Sequence, residues 1–165
     1  MLKKITICFL ILICFISCIE QSRREAFLSK YAFEDFSPFK ELTIVKRGGN
    51  HNEYGLALDS PCFVNDTLKT CCYFIRLDKK SNQVIRAEWT TEAKVTADTL
   101  KLQELAQVFI KYEIPRLDVD IEGNVFVYLK DIETLSMAQF ADNSGFLKHY
   151  HQAWTRIKGN WYKPN

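Results

Sequence analysis

The chain carries almost no excess of either charge. Of its 22 basic and 20 acidic side chains, Lys3 and Lys4 supply the whole surplus, so from Cys18 onward the two signs balance. A nucleic-acid partner, which needs a basic patch or stripe, is therefore not expected. Long hydrophobic runs are missing too. The longest apolar run, Ile5–Ile16, falls short of the roughly 20 apolar residues that a membrane-crossing helix needs. No CxxC or HxxxH spacing is present, which speaks against a zinc site, and no cofactor is implied. The nucleophile and metalloprotease signatures GxSxG and HExxH are also absent, so no catalytic residue can be named. There is no internal repeat and no low-complexity segment.

The first 18 residues are the most informative. Lys3 and Lys4 form a basic head, Ile5–Ile16 follows without charge, and small Ser17 directly precedes Cys18. These are the three regions of a secretory signal. Phe15-Ile16-Ser17-Cys18 resembles the lipobox of bacterial lipoproteins, with Phe15 where that family prefers Leu. The resemblance implies that the Cys18 thiol is lipidated, that the signal is cut before it, and that acyl chains such as palmitate anchor the new N-terminus. Each buried methylene contributes about 0.8 kcal/mol, so two or three chains make a lasting tether. Ile19 stands where lipoproteins kept at the inner membrane often carry Asp, so the resemblance points to the outer membrane, facing the periplasm. The expected layout is a signal over 1–17, a lipidated tether or short helix over 18–40, and one globular domain over 41–165.

Three cysteines then remain in an oxidising compartment: Cys62, Cys71 and Cys72. At most one intramolecular bridge can form. Joining neighbours Cys71 and Cys72 would strain their peptide, whereas Cys62 to either closes a short loop worth on the order of 2–3 kcal/mol. Cys71, Tyr73, Ile75 and Leu77 share one apolar face of a strand, so the pattern favours Cys62–Cys72, with Cys71 buried as a small hydrophobe.

Along the body, Glu41–Arg47, Tyr54–Asp59, Thr70–Asp78 and Gln83–Thr91 read as strands. Gly48-Gly49-Asn50 turns between the first two, Ser60–Lys69 reads as a loop, and Ile85, Ala87 and Trp89 are expected to face inward. From Asp98 to Glu113 the period changes. Leu102, Leu105, Ala106, Phe109 and Ile110 form one helical stripe, Asp98 is a good N-cap, and Pro115 stops the helix. Leu117, Val119 and Ile121 then alternate, Gly123-Asn124 turns, and Val125–Leu129 returns. Asp131–Ala141 reads as a second helix. Ala153–Lys158, Gly159-Asn160 and Trp161-Tyr162 make a last hairpin, while Phe33, Phe36 and Phe39 are expected to lid the core.

Other candidate chemistry is weak. Asp118, Asp120, Glu122 and Gly123 start like a calcium loop, but Leu129 stands where its bidentate Glu belongs. His149 and His151 would share a strand face without the further ligands zinc wants. Arg76 and Arg86, with Glu88, would share the outer face of one hairpin and could seat an anionic partner. Trp154 and Trp161 would grip protein or glycan if exposed, though burial is the better expectation.

These readings predict an α+β fold: a mainly antiparallel sheet of about six to eight hairpin-linked strands, one amphipathic helix packed on it, and a second, shorter helix. The function that fits best is a membrane-anchored envelope lipoprotein, a non-catalytic binding or structural module for a protein or glycan partner. A protective lipoprotein that inhibits a toxin or hydrolase would need a patch of opposite charge to its target. A hydrolase with a non-local site would need a deep pocket holding a perturbed carboxylate or histidine.

Overall fold

The computed structural model describes residues 18–90, 95–142 and 144–165. The expected signal segment lies outside them. The chain divides into two units, Met1–Glu34 and Asp35–Asn165. In the first, residues 18–31 form helix α1, within the stretch expected to be a tether or short helix. Its side chains pair one turn apart, as a helix rewards. Glu20 accepts from Arg24 at 2.9 Å, Glu25 accepts from Gln21 at 2.8 Å, and the rings of Phe27 and Tyr31 sit 5.0 Å apart.

The second unit is built on a ten-stranded antiparallel sheet. A 3-10 turn, Ser37–Phe39, leads into β1 (Leu42–Gly49), β2 (Glu53–Val64), β3 (Thr67–Asp78), β4 (Val84–Trp89) and the short β5 (Val95–Thr96). Helix α2 (Thr99–Phe109) runs into a 3-10 turn, Ile110–Tyr112. Then come β6 (Arg116–Val119), β7 (Val125–Tyr128), β8 (Met137–Gln139), helix α3 (Gly145–Tyr150), β9 (Trp154–Lys158) and β10 (Trp161–Pro164). The strand order is β4-β3-β2-β1-β6-β7-β8-β10-β9, with β5 beside β2.

That order explains α2. The chain leaves β4 at one edge of the sheet, pairs briefly with β2 as β5, and re-enters the sheet as β6 beside β1. Helix α2 lies on this path between β5 and β6, and its apolar stripe covers β2 and β3. Leu102, Leu105, Ala106 and Phe109 are buried as the spacing predicts. Asp98 caps the helix by accepting from Lys101 N at 3.0 Å, and Glu113 ends it in the left-handed conformation. Strand alternation supplies the other side of this core, with Ile44, Leu56, Leu58, Ile75, Leu77, Leu117 and Val127 fully buried. Phe36 and Phe39 close it against Tyr112, at 5.6 and 6.0 Å. Phe33 lies before this unit and is exposed.

The strand count exceeds the six to eight expected, because the short β5 and β8 were not read from the sequence, β8 lying in the stretch read as a helix. Ser60–Lys69 is not a loop: β2 and β3 pair without interruption up to Val64↔Thr67. Asn65-Asp66 makes the turn, both residues at positive φ, as a two-residue hairpin of this type requires. This corrects the disulfide. Cys62 now has the parity of Leu58 and Ser60, on the buried face that also holds Cys71, and Cys62 bonds Cys71 across a 5.9 Å Cα separation. Cys72 points the other way, opposite Asp59, and stays a free thiol.

Two further expectations change. Ile85 is exposed, because the β3–β4 register shifts between Arg76 and Leu77 and leaves Ile85 as the extra residue. Asp131–Ala141 is not a helix. Asp131 accepts from Glu133 N and Thr134 N at 2.9 and 2.6 Å, which commits the chain to a turn before β8. The second, shorter helix of this unit is α3. Among the described residues, no helix is long and apolar enough to cross a membrane.

Candidate interaction face

A sheet's side chains alternate between faces, so the register shows what the side opposite the main core displays. One row across five strands reads Cys72, Asp59, Thr43, Asp118, Phe126. The next, two residues along, reads Glu88, Phe74, Ala57, Val45, Arg116, Tyr128. Arg76 and Arg86 oppose each other one step further. Toward β8 and β10 the same face is covered. Phe126, Phe140, Phe146, Trp154 and Tyr162 form an aromatic cluster under α3, with the Phe140 and Trp154 rings edge-on at 5.0 Å.

Three arginines of the open part, Arg76, Arg86 and Arg116, each pair with a carboxylate. Arg116 donates through two nitrogens to both oxygens of Asp118, at 2.9 and 2.7 Å, and through a third to Ile132 O at 3.2 Å. Its guanidinium lies 4.5 Å from the Tyr128 ring centre. The hydrogen bonds that Arg116 donates to Asp118 hold its charge still more firmly than usual. Burial, then the Asp118 charge, pushes the Tyr128 phenol up. Burial, reinforced by Asp59, pushes the Cys72 thiol up to about 11. Asp59 acts on both Cys72 and Arg116, so these groups form one electrostatic neighbourhood. Arg76 pairs with Glu53 at 3.0 Å and lies 5.8 Å from the Phe74 ring, while Arg86 pairs with Glu88 at 2.7 Å.

Of the residues singled out from sequence, Arg76 and Arg86 share this face as expected. Trp161 does not belong to any partner surface: it is buried, beneath Phe36 at 6.1 Å. Trp154 is half-buried in the aromatic cluster, near the opposite end of the strand order from Arg76. The four residues therefore form no single patch. The calcium-like carboxylates are aimed at protein donors. Asp120 accepts from Glu122 N and from Asn124 N and Nδ2, at 2.8–2.9 Å, and Glu122 accepts from Gly145 N at 3.0 Å. Among the described residues, no three candidate ligands cluster to hold a metal. His149 is exposed, and the side chain of His151 lies outside what is described.

No protein-family model, curated protein or solved structure matches this chain. What the face can do follows from its own groups. It offers opposite charges already paired, with aromatic rings between them, which suits docking more than bond-making chemistry. Sequence reasoning missed Asp59, Arg116 and Tyr128 and gave Cys72 only the role of a bridge partner, because only the register brings the four together. It also passed over Ser37-Pro38-Phe39-Lys40, which has SxxK spacing. Here that spacing sits in a 3-10 turn, with an exposed serine whose backbone N–H donates to Asp35 at 2.9 Å.

Proposed function

We propose that this chain is a lipid-anchored envelope protein whose folded unit, Asp35–Asn165, is a non-catalytic binding module for a protein or glycan partner. The observation that carries the anchor is the run MLKKITICFLILICFISC, in which head, uncharged run and Ser17-Cys18 occur together. The binding half draws support from the open sheet face. Arg76, Arg86 and Arg116 each sit beside a carboxylate, so the face mixes both signs and is not the single-sign patch that a toxin inhibitor would present. A docking role is therefore preferred to the protective one and to a hydrolase.

Intact mass of the protein from its native membrane, beside a Cys18→Ala variant, tests the anchor. The expected mass begins at Cys18 and carries acyl chains that the variant lacks. An unmodified mass overturns the anchor. Crosslinking in intact cells tests the module: a partner captured by the wild type is expected to be lost in Arg76→Glu/Arg86→Glu. A partner captured equally by both sinks the role given to this face.

A further inference from the structure

On the core side of the sheet, a cavity of about 200 Å³ opens between α2 and the facing parts of β1 and β2. Leu42, Leu102 and Leu105 line it with apolar surface, and Lys40 and Lys101 reach it from two different elements. Ser60 lines it as well. Ser60 is only 7% exposed, and its Oγ has no hydrogen-bond partner. Its same-face neighbours on β2, Leu58 and Cys62, are both buried and apolar, so the fold itself makes no use of the hydroxyl there. Nearly all buried polar atoms in native proteins find a partner, so an orphan that faces a cavity marks where a ligand supplies one.

We infer that this cavity binds a small carboxylate with a short apolar body, taking a hydrogen bond from Ser60 Oγ and charge from Lys40 and Lys101. Size fits first: an apolar cavity of about 150 Å³ accepts benzene, so this one takes a body slightly larger. Charge fits next. Among the described residues, neither lysine forms a salt bridge, while the Asp98 carboxylate is turned to its helix and accepts from Lys101 N. Glu41 also lines the rim and selects against a dianion. The apolar walls exclude strongly hydrated inorganic anions, which bring nothing to cover Leu42, Leu102 and Leu105. This site is independent of the sheet face described above and of the lipid anchor.

The orphan hydroxyl gives the test two readouts of opposite sign. The full chain in detergent is titrated with hexanoate, with hexanamide of the same shape but no charge, and with hexylamine, and amide shifts are followed by NMR. Hexanoate is expected to move the signals of residues 40–42, 60–61 and 98–105, the amide to bind about tenfold or more weaker, and the amine not at all. Ser60→Ala is expected to weaken hexanoate binding severalfold while raising the melting temperature of the ligand-free protein, since it removes an unsatisfied buried group. Lys40→Gln/Lys101→Gln, on the surface and harmless to folding, is expected to erase the preference for hexanoate over hexanamide. Absence of shifts at millimolar hexanoate overturns the site. So does a Ser60→Ala protein that binds equally well or melts lower, because the hydroxyl would then serve the fold.

Discussion

Cys72 shows how much a single position depends on the strand around it. Its thiol is half-buried opposite Asp59, and burial with that carboxylate lifts it to about 11 from the ordinary 9.0. The protonated form is thus favoured in the folded protein. Because the folded value lies above the unfolded one, the stabilising contribution is complete below pH 9 and is lost as pH rises through 11. Alkylation by iodoacetamide, read by mass at pH 8 to 11, should therefore lag a model thiol at pH 8. Asp59→Asn should accelerate it at every pH in that range. Equal rates for the two proteins would mean that Asp59 does not face the sulfur. Parity is the residue-scale lesson. The face shared by Cys71, Tyr73, Ile75 and Leu77 was legible in the sequence. The side taken by Cys62 was not, because it depended on whether Ser60–Lys69 continued a strand.

At the scale of elements, the β2–β3 hairpin is held near its tip by Cys62–Cys71, which closes a loop with a sequence separation of 9. Closing a loop of that length restricts the unfolded chain by about 2–3 kcal/mol. Cys62→Ala/Cys71→Ala should lower the free energy of unfolding in urea by that amount, whereas Cys72→Ala should change it by less than about 0.5 kcal/mol. A larger loss from Cys72→Ala would restore the pairing expected from sequence.

The turns make their own contribution. Asp78, Glu122 and Asp131 are each held below the usual carboxylate range, chiefly by hydrogen bonds from Ser81, Asn124 and Thr134 respectively. A depressed folded value means stability that is present above pH 4–5 and lost as pH falls through the lowered values. An acid titration followed by circular dichroism should show this loss, and Asp131→Asn should blunt it. The same chemistry explains which elements could be read in advance. Asp98 precedes a clean apolar stripe and announced α2. Asp131 precedes apolar residues at near-helical spacing, but its carboxylate captures Glu133 N and Thr134 N, and the segment turns into β8.

For the whole molecule, hairpins were legible, but the order in which they join was not. Neighbouring strands announce themselves by turn residues. That β6 pairs with β1, or that β10 slips between β8 and β9, leaves no local mark. Those long-range choices are fixed by residues such as Trp161. It lies on the last strand, fully buried, edge-on to Phe36 near the start of the same unit. Phe36 in turn meets Tyr112 at the end of the α2 crossover. Three distant stretches thus close one aromatic corner, and no two of them could bury it alone. Trp161→Ala should cost about 3–5 kcal/mol, the range for removing a large buried aromatic side chain. For a unit of this size that lowers the melting temperature by roughly 10 °C or more. Trp161→Phe, which keeps a ring against Phe36, should recover at least half of the loss. If thermal melts show Trp161→Ala within about 1 kcal/mol of the wild type, the corner does not tie β10 to the segments that lead into β1 and β6. The C-terminal hairpin would then be an appendage to a sheet that folds without it.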